Sequence, residues 1–244
     1  MNCLFVVGIG PGDPGHMTYE CRHALEKADI FVGYKTYARL VHPLYPEKPV
    51  YTTSMREETE RCKKAIALAE EGKCVAVLSS GDAGVYGMAG LILELAEGKN
   101  DLRVEVIPGV TAALSGAAAL GAPLAHDFAV VSLSDLLTPL EIIGRRLASA
   151  AEGDFCIALY NPASRKRRDH LKWACGILME HGKSPDTVCG YARNVGREDE
   201  SKAVLTLEEL QSTEVDMVTV VFIGNSMTKV INGKMVTPRG YQLG

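Results

Sequence analysis

Residues 4–18 read LFVVGIGPGDPGHMT: the apolar run Leu4-Phe5-Val6-Val7 passes directly into Gly8 and a loop of glycines and prolines ending at Thr18. An apolar run closed by glycine and proline reads as a buried strand leaving a sheet through a tight turn. Gly10, Gly12 and Gly15 fit G-x-G-x-x-G, the spacing of a loop that lays a pyrophosphate on a helix N-terminus. The other residues of the loop oppose that use. Pro11 and Pro14 have no N–H to offer an anion, and Asp13 would repel one. The acidic residue expected about 20 positions on is missing, since the second strand, Ile30 to Gly33, runs into Tyr34-Lys35. A Walker loop fits no better: in GILMEHGKS, Gly176 precedes Gly182 by one residue too many, and the residues between look helical. A strand-to-helix turn with no ligand stays open at this point.

The rest of the chain alternates short apolar runs with helical stretches. Thr18 caps an expected helix to about Ala28, with Cys21, Ala24, Leu25 and Ala28 on one face. An amphipathic helix is expected over Arg56 to Glu71, stopped by Gly72. Strands follow at Cys74 to Ser79 and Val104 to Ile107, with helices at Tyr86 to Glu97 and Thr111 to Leu120. This alternation predicts a parallel sheet with helices on both faces. The stretch 120–127 lacks a period and reads as a link. Beyond it, strands are expected at Phe128 to Leu133, Phe155 to Tyr160, Val188 to Ala192, Lys202 to Thr206, Met217 to Ile223 and Val230 to Val236. The close spacing of the last ones favours antiparallel pairing. The expected fold class is α/β: an N-terminal domain over residues 1–120 with a mostly parallel sheet, and a C-terminal domain over 121–244 with a mixed sheet. A ligand cleft is expected where they meet.

Composition narrows the function classes. With 244 residues, 47% hydrophobic and 23% charged, the chain has the make-up of a soluble globular protein. A net charge of -4 gives no global basic field, so no nucleic-acid partner is expected. No apolar run reaches the roughly 18 residues of a membrane span, and no signal peptide is expected at the N-terminus; the expected location is the cytoplasm. The seven cysteines form no C-x-x-C and the six histidines no H-x-x-x-H, so buried reduced thiols and no metal site are expected. No cysteine pattern of an iron–sulfur or haem centre is present.

Two further strands also end in glycine loops: CVAVLSS enters GDAGVYG (81–87), and VEVIP enters Gly109-Val110-Thr111-Ala112-Ala113. In a parallel sheet all three loops would meet on one edge. They carry few cations, which suits a polar or zwitterionic cofactor held by backbone groups better than a polyphosphate. The three loops together resemble those of the S-adenosylmethionine-dependent tetrapyrrole methylases, and YNP (160–162), GYARNVGREDE (190–200) and VFIGNS (221–226) continue the resemblance. HDFAVVSLSDLLTP (126–139) is similar to the branch that methylates carbon-17 of precorrin-3B or cobalt-factor III and contracts the ring in cobalamin biosynthesis. SGDA, where uroporphyrinogen methylases carry GGDP, weakens that neighbouring assignment.

The resemblance implies S-adenosylmethionine as cofactor, a tetrapyrrole as substrate, and a homodimer. It places Pro11 against the cofactor at the methyl-transfer mouth, and Gly81, Asp82 and Val85 around its homocysteine and ribose. Thr111 and Ala112 would hold the other side, and Tyr160 and Ala192 would contribute to the adenine pocket. Ring contraction calls for a proton-handling group. His126 and Asp135 lie in the branch-specific block, although His126 also reads as a linker residue bonded to backbone and Asp135 as a helix cap. The substrate's carboxylates suit arginine forks; Arg193 and Arg197 are candidates. So is the run Arg165-Lys166-Arg167-Arg168, which otherwise reads as a solvated helix start; as an RNA contact it lacks interleaved aromatics. Competing readings are a methylase with another acceptor, a nicotinamide-dependent oxidoreductase and a non-catalytic binding module.

Overall fold

The computed structural model describes residues 2–54, 56–164 and 166–242. It divides into two compact units, Met1–Ala112 and Ala113–Gly244. In the first, β1 (Asn2–Gly8), α1 (Tyr19–Lys27), β2 (Ile30–Tyr34), α2 (Lys35–Val41), β3 (Val50–Thr53), α3 (Glu58–Glu70), β4 (Val75–Ser79), α4 (Ala89–Leu95) and β5 (Leu102–Ile107) follow in order. The five strands form one parallel sheet in the order β3-β2-β4-β1-β5. Continuous apolar strands are what a sheet covered on both faces requires. Side-chain parity shows the two faces. Leu4, Val6, Val75 and Val77 pack with Cys62, Ala65 and Ile92. Phe5, Val7, Ala76 and Leu78 pack with Cys21, Leu25 and Val41. The Thr18 side chain caps α1 by accepting from the Cys21 amide.

α2 and β3 are additional to the expected elements. KTYARLV and VYTT are short and half polar, and neither shows a helical or alternating period on its own. The expected Tyr86–Glu97 helix begins only at Ala89. Tyr86 takes a left-handed backbone (φ 54°). At Gly87 a Cβ would lie 2.4 Å from the Ala83 carbonyl oxygen, so the chain is still coiled on itself there.

The second unit holds α5 (Ala112–Leu120), β6 (Gly121–Ala122), β7 (Phe128–Ser132), α6 (Leu140–Glu152), β8 (Cys156–Tyr160), α7 (His170–Glu180), β9 (Val188–Arg193), β10 (Ser201–Thr206), α8 (Leu207–Leu210), β11 (Thr219–Ile223), β12 (Lys229–Ile231) and β13 (Lys234–Val236). Its main sheet runs β10-β9-β11-β8-β7. β7 and β8 are parallel and the other pairs antiparallel, a mixed sheet as expected. The division falls eight residues before the expected 120/121 boundary, because α5 packs on this sheet. Gly116 lets it approach so closely that a Cβ would lie 2.7 Å from Val220 and 2.9 Å from Phe222. The expected link 120–127 is partly strand: β6 pairs with β13. The expected single run Val230–Val236 is instead a hairpin, turned by Asn232 and Gly233 at φ 50° and 74°. That Asn-Gly pair is a strong hairpin signal in sequence.

The described cysteines are all free. Burial pushes the Cys21 and Cys62 thiols up to about 11, which keeps them protonated and inert. Buried Lys183 joins separate segments by donating to Asp154 Oδ1, Phe155 O and Gly224 O, each at 3.0 Å. Burial raises the Asp154 carboxyl, but hydrogen bonds from Ser226 and Lys183 outweigh this and hold it below its ordinary value. A depressed folded-state value stabilises above the unfolded pKa of about 3.9, and the contribution is lost as pH falls through the folded value. The unfolding temperature is therefore expected to fall on acidification below about pH 4, and Asp154→Asn to flatten that slope while lowering stability at pH 7. Calorimetric scans of both proteins across pH 2–7 check this.

Candidate functional site

β4, β1 and β5 are adjacent and parallel, and they end at one level, with Gly8 opposite Ser79 and Val7 opposite Ile107. Each continues into one of the three glycine loops. The first two loops extend the sheet beyond the strands: Ile9 N donates to Ser79 O (2.9 Å), Gly10 N to Gly81 O (3.0 Å) and Gly81 N to Gly10 O (2.7 Å). Gly10 and Gly81 hold φ of 74° and 70° to do so, conformations that suit glycine. The third loop presses in from the other side. A Cβ on Gly109 would lie 2.2 Å from Gly81 O and 2.5 Å from Gly8 O. Thr18 Oγ1 donates to Pro108 O at 3.3 Å, joining the start of α1 to the same loop.

Asp82 ties these loops. One carboxylate oxygen accepts from Gly84 N (2.7 Å) and the other from Gly109 N (2.9 Å). Asp13 accepts from Gly15 N at 2.5 Å within the first loop. A phosphate would need such amides for itself. Here two carboxylates already occupy them, and Pro11, Pro14 and Pro108 supply none. The cradle therefore suits an uncharged or cationic ligand bound through its remaining backbone groups. Pro11 is buried, and Asp82, Val85, Thr111 and Ala112 are half-buried. Arg61, 3% exposed, holds the edge behind the second loop; it donates to Thr53 Oγ1 and Ser54 O at 2.9 Å and lies 3.7 Å from Met88 Sδ. It lies within the expected Arg56 to Glu71 helix, where no local pattern announces the burial of a charge.

In the second unit, the Tyr160 hydroxyl accepts from Ala113 N (2.7 Å), near the start of α5. Ala192 is wholly buried between β10 and β11. Arg193 is committed within its own unit: Nε donates to Asp216 (2.8 Å) and Nη1 to Asp199 (3.0 Å). The Arg193 hydrogen bond holds the exposed Asp199 carboxyl low. Burial raises Asp216, but hydrogen bonds from Thr219 and Arg193 bring it below its ordinary value. Arg197 is half-buried, its amide donating to Asn194 O at 3.0 Å. His126 is exposed, and its Nδ1 accepts from the Asp127 amide at 2.9 Å, the bonding expected of a linker histidine.

Two expectations for this unit need correction. Asp135 is not a helix cap: α6 starts at Leu140 with Pro139 at the cap position. Instead Asp135 Oδ1 lies 3.6 Å from Arg167 Nη1 and Oδ2 lies 3.8 Å from His170 Nε2. The basic run is not a uniformly solvated helix start either. Lys166 and Arg168 are exposed, but Arg167 is 8% exposed, and α7 begins only at His170; Arg165 lies outside the described residues. His170 was missed because its partner stands 35 positions earlier in the chain, a contact that no local pattern announces. Among the described residues, no group of three His, Cys, Asp or Glu could hold a metal ion. No helix there is long and apolar enough to cross a membrane.

Comparison with known proteins agrees with this geometry. The family model of the tetrapyrrole (corrin/porphyrin) methylases matches residues 3–211. A Salmonella typhimurium protein named "Probable cobalt-factor III C(17)-methyltransferase" is 50% identical over 98% of this chain and 100% of its own length. A Methanocaldococcus jannaschii protein of the same name is 45% identical over 98% of this chain and 97% of its own. The crystal structure of the methyltransferase CobJ superposes with a TM-score of 0.90 at 36% identity, covering 98% of this chain and all of that one. A uroporphyrin-III C-methyl transferase from Thermus thermophilus, crystallised with S-adenosylhomocysteine, shares the fold at 23% identity and a TM-score of 0.72. With a match across most of its length and the three interlocked loops in place, the chain belongs to the tetrapyrrole (corrin/porphyrin) methylases.

Proposed function

We propose that the protein transfers a methyl group from S-adenosylmethionine to carbon-17 of cobalt-factor III, with ring contraction, in cobalamin biosynthesis. The observation that carries the reading is the near full-length similarity, at 45–50% identity, to proteins named for that reaction. The geometry supports it. A sulfonium cofactor supplies an already electrophilic methyl carbon, so the protein has mainly to align it and exclude water. The loops at Gly10, Gly81 and Gly109 offer a backbone surface with no phosphate-type anion site, which fits such a nucleoside cation. Pro11, Gly81, Asp82, Val85, Thr111 and Ala112 are its proposed contacts within the first unit; Tyr160 and Ala192 remain proposed cofactor residues on the resemblance alone. Arg197 is a proposed contact for a substrate carboxylate. Arg193 could serve only by sharing a guanidinium already bonded to Asp199 and Asp216. We also propose that the chain acts in the cytoplasm as a homodimer.

Incubation of the purified protein with S-adenosylmethionine and either cobalt-factor III or precorrin-3B, read by mass, tests the reading. Gain of one methyl on cobalt-factor III, together with calorimetric binding of S-adenosylhomocysteine, is expected. Methylation of precorrin-3B alone would move the assignment to the metal-free substrate. Binding of NADH in place of S-adenosylhomocysteine would sink the methylase assignment. In the same assay, unaltered turnover by His126→Ala would leave that residue as a linker, with no part in proton transfer.

A further inference from the structure

β7 and β8 are parallel neighbours that end together, Ser132 opposite Tyr160. Their loops fold into one polar cluster inside the second unit. Ser132 Oγ accepts from Asn161 Nδ2 (3.0 Å) and from Ser134 N (3.2 Å). Ser164 and Arg167 exchange backbone hydrogen bonds at 3.0 and 3.2 Å, and Arg167 Nε donates to Ser164 Oγ at 3.1 Å. These bonds to Ser164 hold Arg167 inward, with 8% of its surface exposed. The His170 ring stands edge-on to Trp173, at 6.3 Å and 85°.

The cluster is incompletely satisfied. Arg167 Nη1 and His170 Nδ1 are buried and have no hydrogen-bond partner. Among the described residues, Asp135 is the carboxylate paired with either residue. It sits at 3.6 and 3.8 Å, close enough for Coulomb attraction and too far for a hydrogen bond. A guanidinium normally takes a carboxylate through short, forked hydrogen bonds. Asp135 is also the outer member, with 36% of its side chain exposed against 8% for Arg167 and 14% for His170. Arg167 is held firmly from behind by Ser164, and its counter-ion is held loosely in front.

We infer that Arg167 and His170 form a carboxylate-binding subsite and that Asp135 is its displaceable internal counter-ion. A ligand carboxylate that pushes Asp135 aside would gain the short bonds to Arg167 that Asp135 does not make, and would supply the partner that Nη1 lacks. No covalent step is involved. The inference rests on the proposed function for its ligand, a tetrapyrrole bearing several carboxylates, and assigns one of them a seat. It also gives Asp135 a role opposite in sign to that of a substrate-binding acid, because its charge competes with the ligand.

Trp173, the single tryptophan of the chain, reports on the subsite without turnover. Citrate, a small polycarboxylate, is titrated against its fluorescence at constant ionic strength, with chloride as control; KM and kcat for cobalt-factor III and the Kd for S-adenosylhomocysteine are measured beside it. Asp135→Asn is expected to tighten citrate binding and to lower KM, each by about threefold to fivefold, the size of a partly exposed ion pair. Arg167→Gln is expected to weaken both about tenfold or more, and Arg167→Lys, which keeps the charge without the fork, to recover part of the loss. In all three, the S-adenosylhomocysteine Kd should stay within about twofold. If Arg167→Gln does not fold, the Lys and Asn variants decide. Weaker citrate binding in Asp135→Asn, or citrate binding indifferent to Arg167→Lys, would overturn the subsite. A wild-type protein that binds citrate as expected but methylates no tetrapyrrole would overturn the proposed function and leave the carboxylate subsite standing.

Discussion

Gly109→Ala is expected to abolish cofactor binding, reducing S-adenosylhomocysteine affinity about 100-fold or more, and to lower stability by about 2–4 kcal/mol. The added methyl would meet Gly81 O at 2.2 Å and Gly8 O at 2.5 Å. Both obstacles are backbone carbonyls at the ends of neighbouring strands, so no side-chain rotation relieves them. The third loop would have to lift away from the other two, and the surface that all three build would open. Gly176→Ala gives the contrast. It lies inside α7 with nothing within 4 Å of the new methyl, and is expected to stabilise by about 0.5–1 kcal/mol. Calorimetric titration and thermal unfolding of the two variants read both signs. Wild-type binding by Gly109→Ala would show that the close approach of the loops is not what forms the site.

The second large effect is expected at Asp82, whose carboxylate oxygens accept from Gly84 N and Gly109 N. Hydrogen bonds to a charged group contribute about 1.5–3 kcal/mol each. Asp82→Ala removes both and leaves two amides to find water; a loss of about 3 kcal/mol and a 10- to 100-fold weaker S-adenosylhomocysteine Kd are expected. Asp82→Asn keeps one acceptor oxygen and should fall between Ala and the wild type. The order wild type, Asn, Ala in both unfolding temperature and Kd is the signature of a residue that ties loops. Equal, complete loss of binding in Asn and Ala at wild-type stability would leave Asp82 as a ligand contact alone, with no part in tying the loops.

Local reading succeeded where the chemistry is local. The unbroken apolar runs of β1 and β4 announced strands covered on both faces, and Thr18 announced the start of α1. Prolines and acids in the glycine loops argued against phosphate before any coordinates, and the hydrogen bonds of Asp13 and Asp82 supply the physical reason. α2 and β3 escaped because their burial comes from the sheet they join rather than from a period of their own. The hairpin of β12 and β13 escaped although Asn232-Gly233 signalled it.

The order of residues alone was enough for the α/β class, the three glycine loops and the family, because strand burial, turn chemistry and backbone freedom are properties of short contiguous segments. Tertiary structure decided what those segments do to one another. It made Asp82 the tie between two loops, and it occupied Arg193 with Asp199 and Asp216. It buried Arg167 out of an outwardly basic run and set Asp135 before it and His170. Burial and pairing between separate elements depend on where the strands end, and no local stretch of sequence carries that information.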